Sequence, residues 1–422
     1  MTAMIQAPCA SDIETPVERL GIAILTRAAF SGRDLTRTAA AFRNALASDP
    51  ADAGALMDLS VIEQLHGNPE GGLALQAAAL EHAQVYRTAS AAPKTLRLLA
   101  LAAPVAMGGN TPVDFLVEHS TVGLDTLYIA PGLPLPDPLP EHDLAIVIAP
   151  GDSDDSRQFL TEIDRRLADW PRPVLNAPAD IMRLDRDRTA NILAHVPGLI
   201  LPGTARCTRA VLRVIGDGDL GIRDVRPEFE FPIIIRPVGA HAGRGLEKLT
   251  SAADIGPYLD TCDDPDFFLS DFVDYGSADG GFRKYRIVLV DGRPHPCHMA
   301  IADGWKVWYM NADMAGSPQK RREEQRFMER FDTGFGHRHG AALSAMAQAF
   351  GLDYFGIDCA EDRAGNLVLF EADNALIVHD MDSAEIFPYK SPVIRTLFDG
   401  FVGMVARRAQ RQGAVPEKRR TG

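Results

Sequence analysis

The sequence predicts an α/β protein in which a helical N-terminal region precedes a small parallel α/β unit and a larger unit of mixed strands and helices. Three observations support this fold class. Ala and Leu recur at helical spacing over residues 17–88, short apolar runs then alternate with helical segments, and apolar strands ending in glycine loops or charged residues follow. A length of 422 residues exceeds one ordinary core and suggests about two to four domains.

The composition disfavours several classes of protein. Hydrophobic residues make up 46% of the chain and charged residues 24%, as in soluble globular proteins. No apolar run reaches about 18 residues and the first residues lack the pattern of a signal peptide, so we expect neither a membrane protein nor a secreted one. Five scattered cysteines without CxxC spacing indicate a reducing, cytoplasmic location. A net charge of −14 argues against a nucleic-acid surface.

Both ends of the chain are predicted to lie outside the folded core. Residues 1–16 are expected to be disordered, and residues 406–422 form a basic tail that we expect to be flexible. We interpret the basic cluster from Arg407 to Arg420 as a solvated terminus rather than a binding arm.

The region 17–92 is predicted to contain four helices in two antiparallel pairs, because turn signals separate its helical segments at Ser31-Gly32, Asp49-Pro50 and Gly67-Asn68-Pro69. Part of it resembles tetratricopeptide repeats in the stretch AFRNALASDPADAGALMDLSVIEQLHGNPEGGLALQAAAL, although the usual large aromatics are missing. Two hypotheses follow for these helices. They pack on the rest of the chain or form a homodimer, or they bind a protein or peptide partner.

Residues 93–180 are predicted to form a small α/β domain with a parallel sheet. Its strands are expected at Leu96–Ala102, Thr126–Ile129, Leu144–Ala149 and Val174–Asn176, and its helices at Pro112–His119 and Ser156–Trp170. Loops after parallel strands face a ligand crevice. The loop Met107-Gly108-Gly109-Asn110 is therefore either part of a binding crevice or a plain connection.

A glycine-rich loop follows the most apolar strand of the C-terminal part, in FPIIIRPVGAHAGRGLEKL. The strand delivers Arg236, and Gly239, Gly243 and Gly245 allow the backbone to approach phosphates closely. His241 lies within this loop. No GxGxxG or GxxxxGK[ST] pattern is present, so a hairpin with glycine turns remains the alternative interpretation.

Three further segments complete a candidate site. DFFLSDFVDY is a strand followed by acidic residues, and FRKYRIVLVDGRPHPCHMAI is a basic strand that precedes a hairpin turn. LDYFGIDCAEDRAGNLVLFEADNALIVHD then places Asp358 and Glu371 on two strands joined by a turn. Adjacent strands bring such carboxylates to one end of a sheet, where oxygen ligands suit magnesium.

Taken in order, these segments resemble the ATP-grasp superfamily, in particular the branch of ribosomal-protein glutamate ligases and glutathione synthetases. The matching elements are NAPADIMRLDRDRTANIL, IIIRPVGAHAGRG, FFLSDFV, KYR and IDCAE with FEADN. The resemblance implies an α+β ATP-grasp fold over residues 181–405, with residues 93–180 as the pre-ATP-grasp domain. It also implies ATP as cofactor, with two magnesium ions or manganese in their place.

The resemblance assigns nucleotide-binding positions residue by residue. Arg188 and Arg236 stand where the family has two ATP-contacting lysines, and a planar guanidinium contacts phosphate differently from an ammonium. The remaining nucleotide-binding positions are His241, Gly243, Arg244 and Gly245 in the glycine loop, and Asp271, Phe272 and Val273 at the adenine hinge. Either Asp274 or Asp279 is expected to bind the ribose.

Catalytic, metal and substrate positions follow in the same way. Arg286 is expected to face the transferred phosphate, with a cross-strand salt bridge as the alternative role, and Lys306 and Asn311 fall near positions that line the phosphoryl site. The metal ligands are Asp358, Glu371 and either Asp373, which we favour because it shares the alternation of Glu371, or Asn374. Substrate contacts are predicted for Arg283 on the basic strand and for His298 and His379, because both histidines lie in segments expected to border the cleft; a surface or core position is the alternative for each histidine.

The function implied is an ATP-dependent ligase that activates a carboxylate as an acyl phosphate and transfers it to an amine, with a small molecule or a peptide as the acid. Two alternatives use the same residues. A phosphotransferase would share the nucleotide site but act on a hydroxyl, and a helical-repeat scaffold would carry a degenerate nucleotide-binding domain. Clustered carboxylates at a metal position argue against the scaffold, because burying unpaired charge is costly.

Overall fold

A computed structural model describes residues 15–90, 93–151, 154–240 and 243–410. The predictions for residues 1–14, for His241 and for residues 411–422 therefore lie outside the described residues. Within them, every helix is too short or too polar to cross a lipid bilayer.

The four predicted N-terminal helices are present, and polar caps fix where the last two begin. The side chain of Asp52 accepts a hydrogen bond from the N–H of Ala55 at 2.9 Å, and that of Asn68 accepts one from Gly71 at 3.0 Å. The elements are β1 (Val17–Arg19), α1 (Ile22–Phe30), α2 (Thr36–Ser48), α3 (Ala53–Leu65), α4 (Pro69–His82) and β2 (Val85–Thr88).

The next elements build a six-stranded sheet in the order β1-β2-β4-β3-β5-β6. They are β3 (Leu96–Ala102), α5 (Val113–Val117), β4 (Val122–Tyr128), β5 (Leu144–Val147), α6 (Asp154–Leu167), β6 (Val174–Leu175) and α7 (Pro178–Ile181). Strand β3 pairs in parallel with β4 and β5, and β5 with β6, which confirms the predicted parallel sheet. The helical region contributes β1 and β2 to the same sheet, so it is not a detached unit.

A four-stranded antiparallel sheet comes next, in the order β10-β9-β11-β8, with its own apolar core. This part of the chain contains α8 (Arg186–Ile192), β7 (Leu199–Ile200), β8 (Thr204–Thr208), α9 (Arg209–Gly216), β9 (Ile233–Pro237), β10 (Glu247–Leu249), α10 (Ile255–Thr261) and β11 (Asp266–Asp271).

The last part forms a five-stranded sheet in the order β13-β12-β14-β15-β7. Its elements are β12 (Phe282–Val290), β13 (Arg293–Ala302), α11 (Pro318–Glu329), α12 (Phe335–Arg338), α13 (Gly340–Phe350), β14 (Tyr354–Glu361), β15 (Leu367–Asp373) and α14 (Lys390–Gln410). Helix α14 extends beyond residue 406, where the flexible tail was expected to begin. Arg407 and Arg408 each pair with Asp291, at 3.0 and 2.9 Å, and these contacts tie the last turn of the helix to the sheet.

One apolar core runs without interruption from the six-stranded sheet to the five-stranded sheet. Asn176, buried at the end of β6 with a φ of 53°, joins the two sheets through its side chain. Its Oδ1 accepts hydrogen bonds from the N–H groups of Asp353 and Tyr354 at 2.9 and 3.0 Å, and its Nδ2 donates to the carbonyl of Tyr354 at 2.7 Å. The residues before and after the four-stranded sheet therefore form one packed body.

Candidate functional site

A row of four polar residues crosses the five-stranded sheet. His298, Arg286, Asp358 and Glu371 lie directly opposite one another on β13, β12, β14 and β15. Residues paired in this way project from the same face of a sheet. The pairing shifts by one residue immediately after Arg286 and again immediately after Asp358. Such bulges redirect side chains next to functional sites.

Asp358 is held by two cations on β12. Its carboxylate accepts hydrogen bonds from Nε and a terminal nitrogen of Arg286 at 2.8 and 3.0 Å, and it pairs with Nζ of Lys284 at 2.7 Å. Burial opposes its ionisation, but Arg286 and Lys284 outweigh burial and hold the pKa of this carboxyl far below its usual range. Asp358 is therefore a buried, ionised carboxylate.

Glu371 is held by two arginines from outside the sheet. Arg186, the first residue of α8, lies 2.5 Å from its Oε1 and also donates to the carbonyl of Phe370 at 2.7 Å. Arg236 on β9 lies 3.8 Å from the same oxygen. Burial again opposes ionisation, and the two arginines lower the pKa of Glu371 below its usual range.

The Glu371 end of the row borders a cleft between the four-stranded and five-stranded sheets. The cleft contains about 1100 Å³ of empty space, including the part open to solvent. Side chains from both sheets and from the segments beside them line it. They include Arg186, Arg236, Lys284, Glu371, Phe272 and Trp305. Three of the four cations that contact the carboxylates thus border the same space.

The strand end predicted as the adenine hinge borders this cleft. Asp271, Phe272 and Val273 line it, and Asp271 is fixed at the end of β11 by hydrogen bonds in both directions with the backbone of Gly203. In the described part of the chain, no backbone hydrogen bond involves the peptide groups of Phe272 or Val273. The Phe272 ring packs edge-on against Trp305 at 6.0 Å, so an aromatic wall stands beside unpaired peptide groups.

The glycine loop connects β9 to β10 beside Arg236. Gly243 and Gly245 have φ values of 74° and 62°, which favour glycine. A Cβ on Gly245 would lie 2.7 Å from Cδ of Pro237, so this position also lacks room for a side chain. Arg244 is exposed and pairs with Asp264 at 2.7 and 2.9 Å, outside the cleft. Arg236 donates to the carbonyl of Ala240 within the loop.

Of the two arginines that the sequence comparison placed in the nucleotide site, only Arg236 borders the cleft. Arg188 is exposed on α8, and Arg186 contacts Glu371 in its place. Two helical positions correspond to a rotation of about 200°, so Arg186 and Arg188 point in nearly opposite directions. The sequence comparison missed Arg186, and helical spacing alone could have separated the two.

Alternation along β12 decides a second difference. Arg283 pairs with Asp279 and Glu323, and its strand neighbour Tyr285 packs on Phe327 and so faces the helices. Lys284, one position on, lines the cleft and, like Arg286, pairs with Asp358. Arg283 therefore lies away from the site in which it was predicted, and Lys284 was missed although the alternation of the strand could have indicated it.

Of three other predicted residues, one borders the cleft and two are exposed in turns. Lys306 borders the cleft and pairs with Glu247 at 2.9 Å. Asn311 is exposed and closes a short turn, where its Oδ1 accepts a hydrogen bond from the N–H of Trp308 at 2.9 Å. Asp274 is exposed and accepts a hydrogen bond from the N–H of Gly276 at 2.9 Å. Local turn geometry accounts for Asn311 and Asp274.

The two predicted substrate histidines lie on β13 and after β15. His298 stands opposite Arg286 with its ring 4.9 Å from that of Tyr309, and burial, assisted by Arg286 and Lys390, lowers its pKa well below the usual value. His379 follows β15 with its ring 5.7 Å from Phe30, and burial lowers its pKa. Both imidazoles are therefore neutral at pH 7.

Asp358 and Glu371 are brought together as predicted, while the third metal position is less regular. Among the described residues, no group of three His, Cys, Asp or Glu side chains is arranged to hold a metal ion. Asp373 accepts a hydrogen bond from the N–H of Ala375 at 2.9 Å. Asn374 is fully buried, with its Nδ2 donating to the carbonyl of Ala149 at 3.0 Å and its Oδ1 lacking a hydrogen-bond partner among the described residues.

Similar backbones occur among solved ligase structures. D-alanine–D-alanine ligase from Bacillus anthracis, solved with ATP, is 12% identical, with 75% of this chain and 98% of that chain covered at a TM-score of 0.42. An ATP-grasp RimK domain protein from Sphaerobacter thermophilus DSM 20745 is 14% identical, with 73% and 100% covered at 0.42. The VanG D-Ala:D-Ser ligase from Enterococcus faecalis is 12% identical, with 74% and 100% covered at 0.43.

These values describe a partial overlap of backbones. No protein-family model matches the sequence, and no curated protein matches it. Support for a function therefore comes from the site side chains described above.

Proposed function

We propose that the protein is an ATP-dependent carboxylate–amine ligase that works through an acyl phosphate. One observation carries the proposal. Two ionised carboxylates, Asp358 and Glu371, face each other across neighbouring strands, Glu371 lines the cleft, and four cationic side chains contact the pair. Carboxylate oxygens of this kind bind magnesium, and the cations suit the phosphates that magnesium accompanies.

The oxygens present fit magnesium, or manganese in its place. Asp358 and Glu371 are both held ionised. Glu371 and Asn374 line one small cavity, and Oδ1 of Asn374 is the buried oxygen without a partner among the described residues. An orphaned buried oxygen is costly unless a ligand satisfies it. This feature supports Asn374, ahead of Asp373, as the third ligand.

The chemistry assigned to the site is phosphoryl transfer followed by amide formation. ATP supplies the γ-phosphoryl group that converts a carboxylate into an acyl phosphate, and an amine then displaces phosphate from the acyl carbon. The protein's part is to position fixed charge. Arg186 and Arg236 approach from one side of the row, and Lys284 and Arg286 from the strand beside Asp358. In this role Arg286 stabilises the charge that develops on the transferred group.

The opposite wall of the cleft supports a place for the base of the nucleotide. The peptide groups of Phe272 and Val273 supply a donor and an acceptor edge, and Trp305 supplies an apolar wall. Leu246, which follows the glycine loop, also lines this space and, with these side chains, limits the access of water to the reacting atoms.

The proposal is tested with Glu371→Gln, which keeps the shape of the side chain and removes its charge. At about 100 times its dissociation constant, magnesium-ATP should raise the free energy of unfolding of the wild type by about 2.7 kcal/mol. In the variant we expect the stabilisation by ATP to lose its dependence on magnesium. Glu361→Gln is the control, because Glu361 lies on β14 outside the cleft and pairs with Arg338 and His339.

A second readout separates ligation from nucleotide binding alone. Hydroxylamine added with ATP and a panel of carboxylic acids should trap the acyl phosphate as a hydroxamate and release phosphate. Binding of magnesium-ATP without any hydroxamate would leave a nucleotide-binding scaffold. Failure of both readouts in the wild type would remove the proposed function altogether.

A further inference from the structure

A second cavity lies beside the loop that follows β3. Helices α1, α3 and α4 and the loop 103–112 enclose it, with about 700 Å³ of empty space including the open part. Most of its lining is apolar, with Ile22, Met57, Val61, Val105, Phe115 and Ile377 among its side chains. The cavity is therefore bounded by the helical region for which the sequence predicted either packing or partner binding.

One charged side chain reaches this cavity from β1. Arg19 is 5% exposed and donates to Oγ1 of Thr126 at 3.1 Å and to the hydroxyl of Tyr128 at 3.5 Å. Its Nε, also buried, has no hydrogen-bond partner among the described residues. A buried guanidinium with an unused N–H is costly, because both its charge and its donor have left water.

No salt bridge to a carboxylate of the described residues compensates Arg19. Asp58 acts on its charge from a distance but is engaged by the N–H groups of Leu20 and Gly21, at 2.7 and 3.1 Å. Asp114 also acts from a distance and accepts a hydrogen bond from Thr88 at 3.1 Å. Neither carboxylate is in the lining of the cavity.

A second unused donor belongs to a residue that borders the same space. Thr26 on α1 lines the cavity, and its Oγ1 is buried without a partner among the described residues, although a helical threonine commonly bonds to a carbonyl one turn back. The amides nearby are already used. Gln64 accepts a hydrogen bond from the N–H of Met107 at 2.7 Å, and Gln76 donates to the carbonyl of Val105 at 3.2 Å.

We propose that this cavity binds a small monocarboxylate with an apolar body and no cationic group. The two unused donors, Arg19 Nε and Thr26 Oγ1, match the two oxygens of a carboxylate. The lining contains one cation and no carboxylate, so it attracts an anion and disfavours an ammonium group. The remaining apolar walls take a hydrocarbon chain.

The cavity adjoins the proposed reaction site through Ile377. The Ile377 side chain lines the cavity, and its backbone carbonyl accepts a hydrogen bond from Arg286 at 3.2 Å. The bound acid is thus placed to influence the specificity of the ligase, because its only carboxylate is engaged by Arg19 and Thr26 and is not free to be activated. That role rests on the proposed function, whereas binding of the acid does not.

The test uses the full chain without nucleotide and three matched probes: hexanoate, hexanamide and norleucine. Hexanamide lacks the charge, and norleucine adds an ammonium to the same carbon chain. Isothermal titration should show hexanoate binding at least about tenfold more tightly than either, since a hydrogen bond to a charged group contributes about 1.5–3 kcal/mol. Straight-chain and branched acids from butanoate to octanoate extend the panel in case the chain length differs.

Thr26→Val tests the site itself. It removes an unbonded hydroxyl and keeps the shape of the side chain, so the variant should fold and bind the acid at least about tenfold more weakly. Thr161→Val, on the exposed face of α6, is the matched control and should bind as the wild type does. Arg19→Lys, which keeps the charge but loses Nε, is a second variant.

Either of two results would overturn the inference: no acid of the panel binds, or Thr26→Val binds the acid as tightly as the wild type. The outcome is separable from that of the proposed function. Glu371→Gln should still bind hexanoate, because Glu371 lies outside this cavity. In the wild type, acid binding without hydroxamate formation would contradict only the ligase proposal. Magnesium-dependent ATP binding without acid binding would sink only this cavity.

Discussion

Asp358 is a buried charge with two cationic partners. It is 2% exposed, and Lys284 and Arg286 are its partners. Removing one partner of a buried ion pair leaves a charge that water cannot reach. The stability of the protein therefore depends on the same arginine that the proposed reaction requires.

Replacing Arg286 by Met should lower the free energy of unfolding by about 3 kcal/mol, because the carboxylate of Asp358 stays buried with one partner fewer. Combining it with Asp358→Asn should recover about 1–3 kcal/mol of the summed single effects, since the two residues interact directly. Urea unfolding of the four proteins measures this coupling. Additive effects would show that the contact between Arg286 and Asp358 contributes little.

Residue-level predictions from the sequence succeeded where strand pairing alone decides them. Asp358 and Glu371 could be placed together because both follow apolar strands joined by a tight turn. Two choices depend on which way a helix or strand faces: Arg186 or Arg188, and Lys284 or Arg283. A resemblance between short motifs carries that information only weakly. The unused donors of Arg19 and Thr26 depend on contacts between distant segments, which no local pattern encodes.

At the scale of elements, the loop between β9 and β10 contains two glycines that are constrained in different ways. Gly243 and Gly245 both have positive φ, but only Gly245 lies against Pro237. The two positions therefore separate backbone strain from steric contact.

Gly243→Ala should cost about 1–2 kcal/mol, because a side chain is strained at positive φ. Gly245→Ala should cost more than that and should weaken ATP binding, because its Cβ also displaces Pro237, the last residue of the strand that carries Arg236. Thermal unfolding and ATP titration of both variants measure the difference. Equal effects in the two variants would mean that the loop yields without disturbing the strand.

Element boundaries were predicted best where the hydrophobic period was long. Leu96–Ala102 coincides with β3, and the four N-terminal helices are present. Strands β1 and β2 were missed, because three or four residues next to helices give too short a period to detect. The two bulges beside Arg286 and Asp358 have no sequence signal that distinguishes them from regular pairing.

At the scale of the whole molecule, the N-terminal helices cannot be removed as a module. Deleting residues 1–90 would take away β1 and β2 and expose the edge of the six-stranded sheet, whose core continues to the site. Point substitutions such as Thr26→Val are therefore the appropriate probes of this region.

The stability of the whole chain should fall below about pH 6.5, because buried histidines are held neutral. Burial and the nearby Arg293 lower the pKa of His295 to about 4, although Asp332 opposes the shift, and Gly400 of α14 lies against the ring. Above the unfolded pKa of about 6.5 this residue has no effect. Between about pH 6.5 and 4 the unfolded chain binds a proton that the folded chain does not, which favours unfolding.

Replacing His295 by Asn should remove about 2 kcal/mol of the stability lost between about pH 7 and about pH 5. Urea unfolding at the two pH values gives the slope for the variant and the wild type. His66→Asn, on the exposed turn after α3, is the control. An unchanged slope in His295→Asn would place the pH dependence at His142, His298 or His379, whose pKa values burial also lowers.

Asp358 and Glu371 are both paired with cations in this structure, so ligands that bind these groups must replace the existing ion pairs. A metal ion arriving alone must compete with Arg186, Arg236, Lys284 and Arg286 for the carboxylates, and a nucleotide arriving alone must compete with the carboxylates for those same cations. When both arrive, each releases the groups that the other needs. Thermodynamic reciprocity then requires that metal and nucleotide strengthen each other's binding by the same factor. The resting ion pairs would thus make the chelate of metal and nucleotide, rather than either component, the species that the cleft selects.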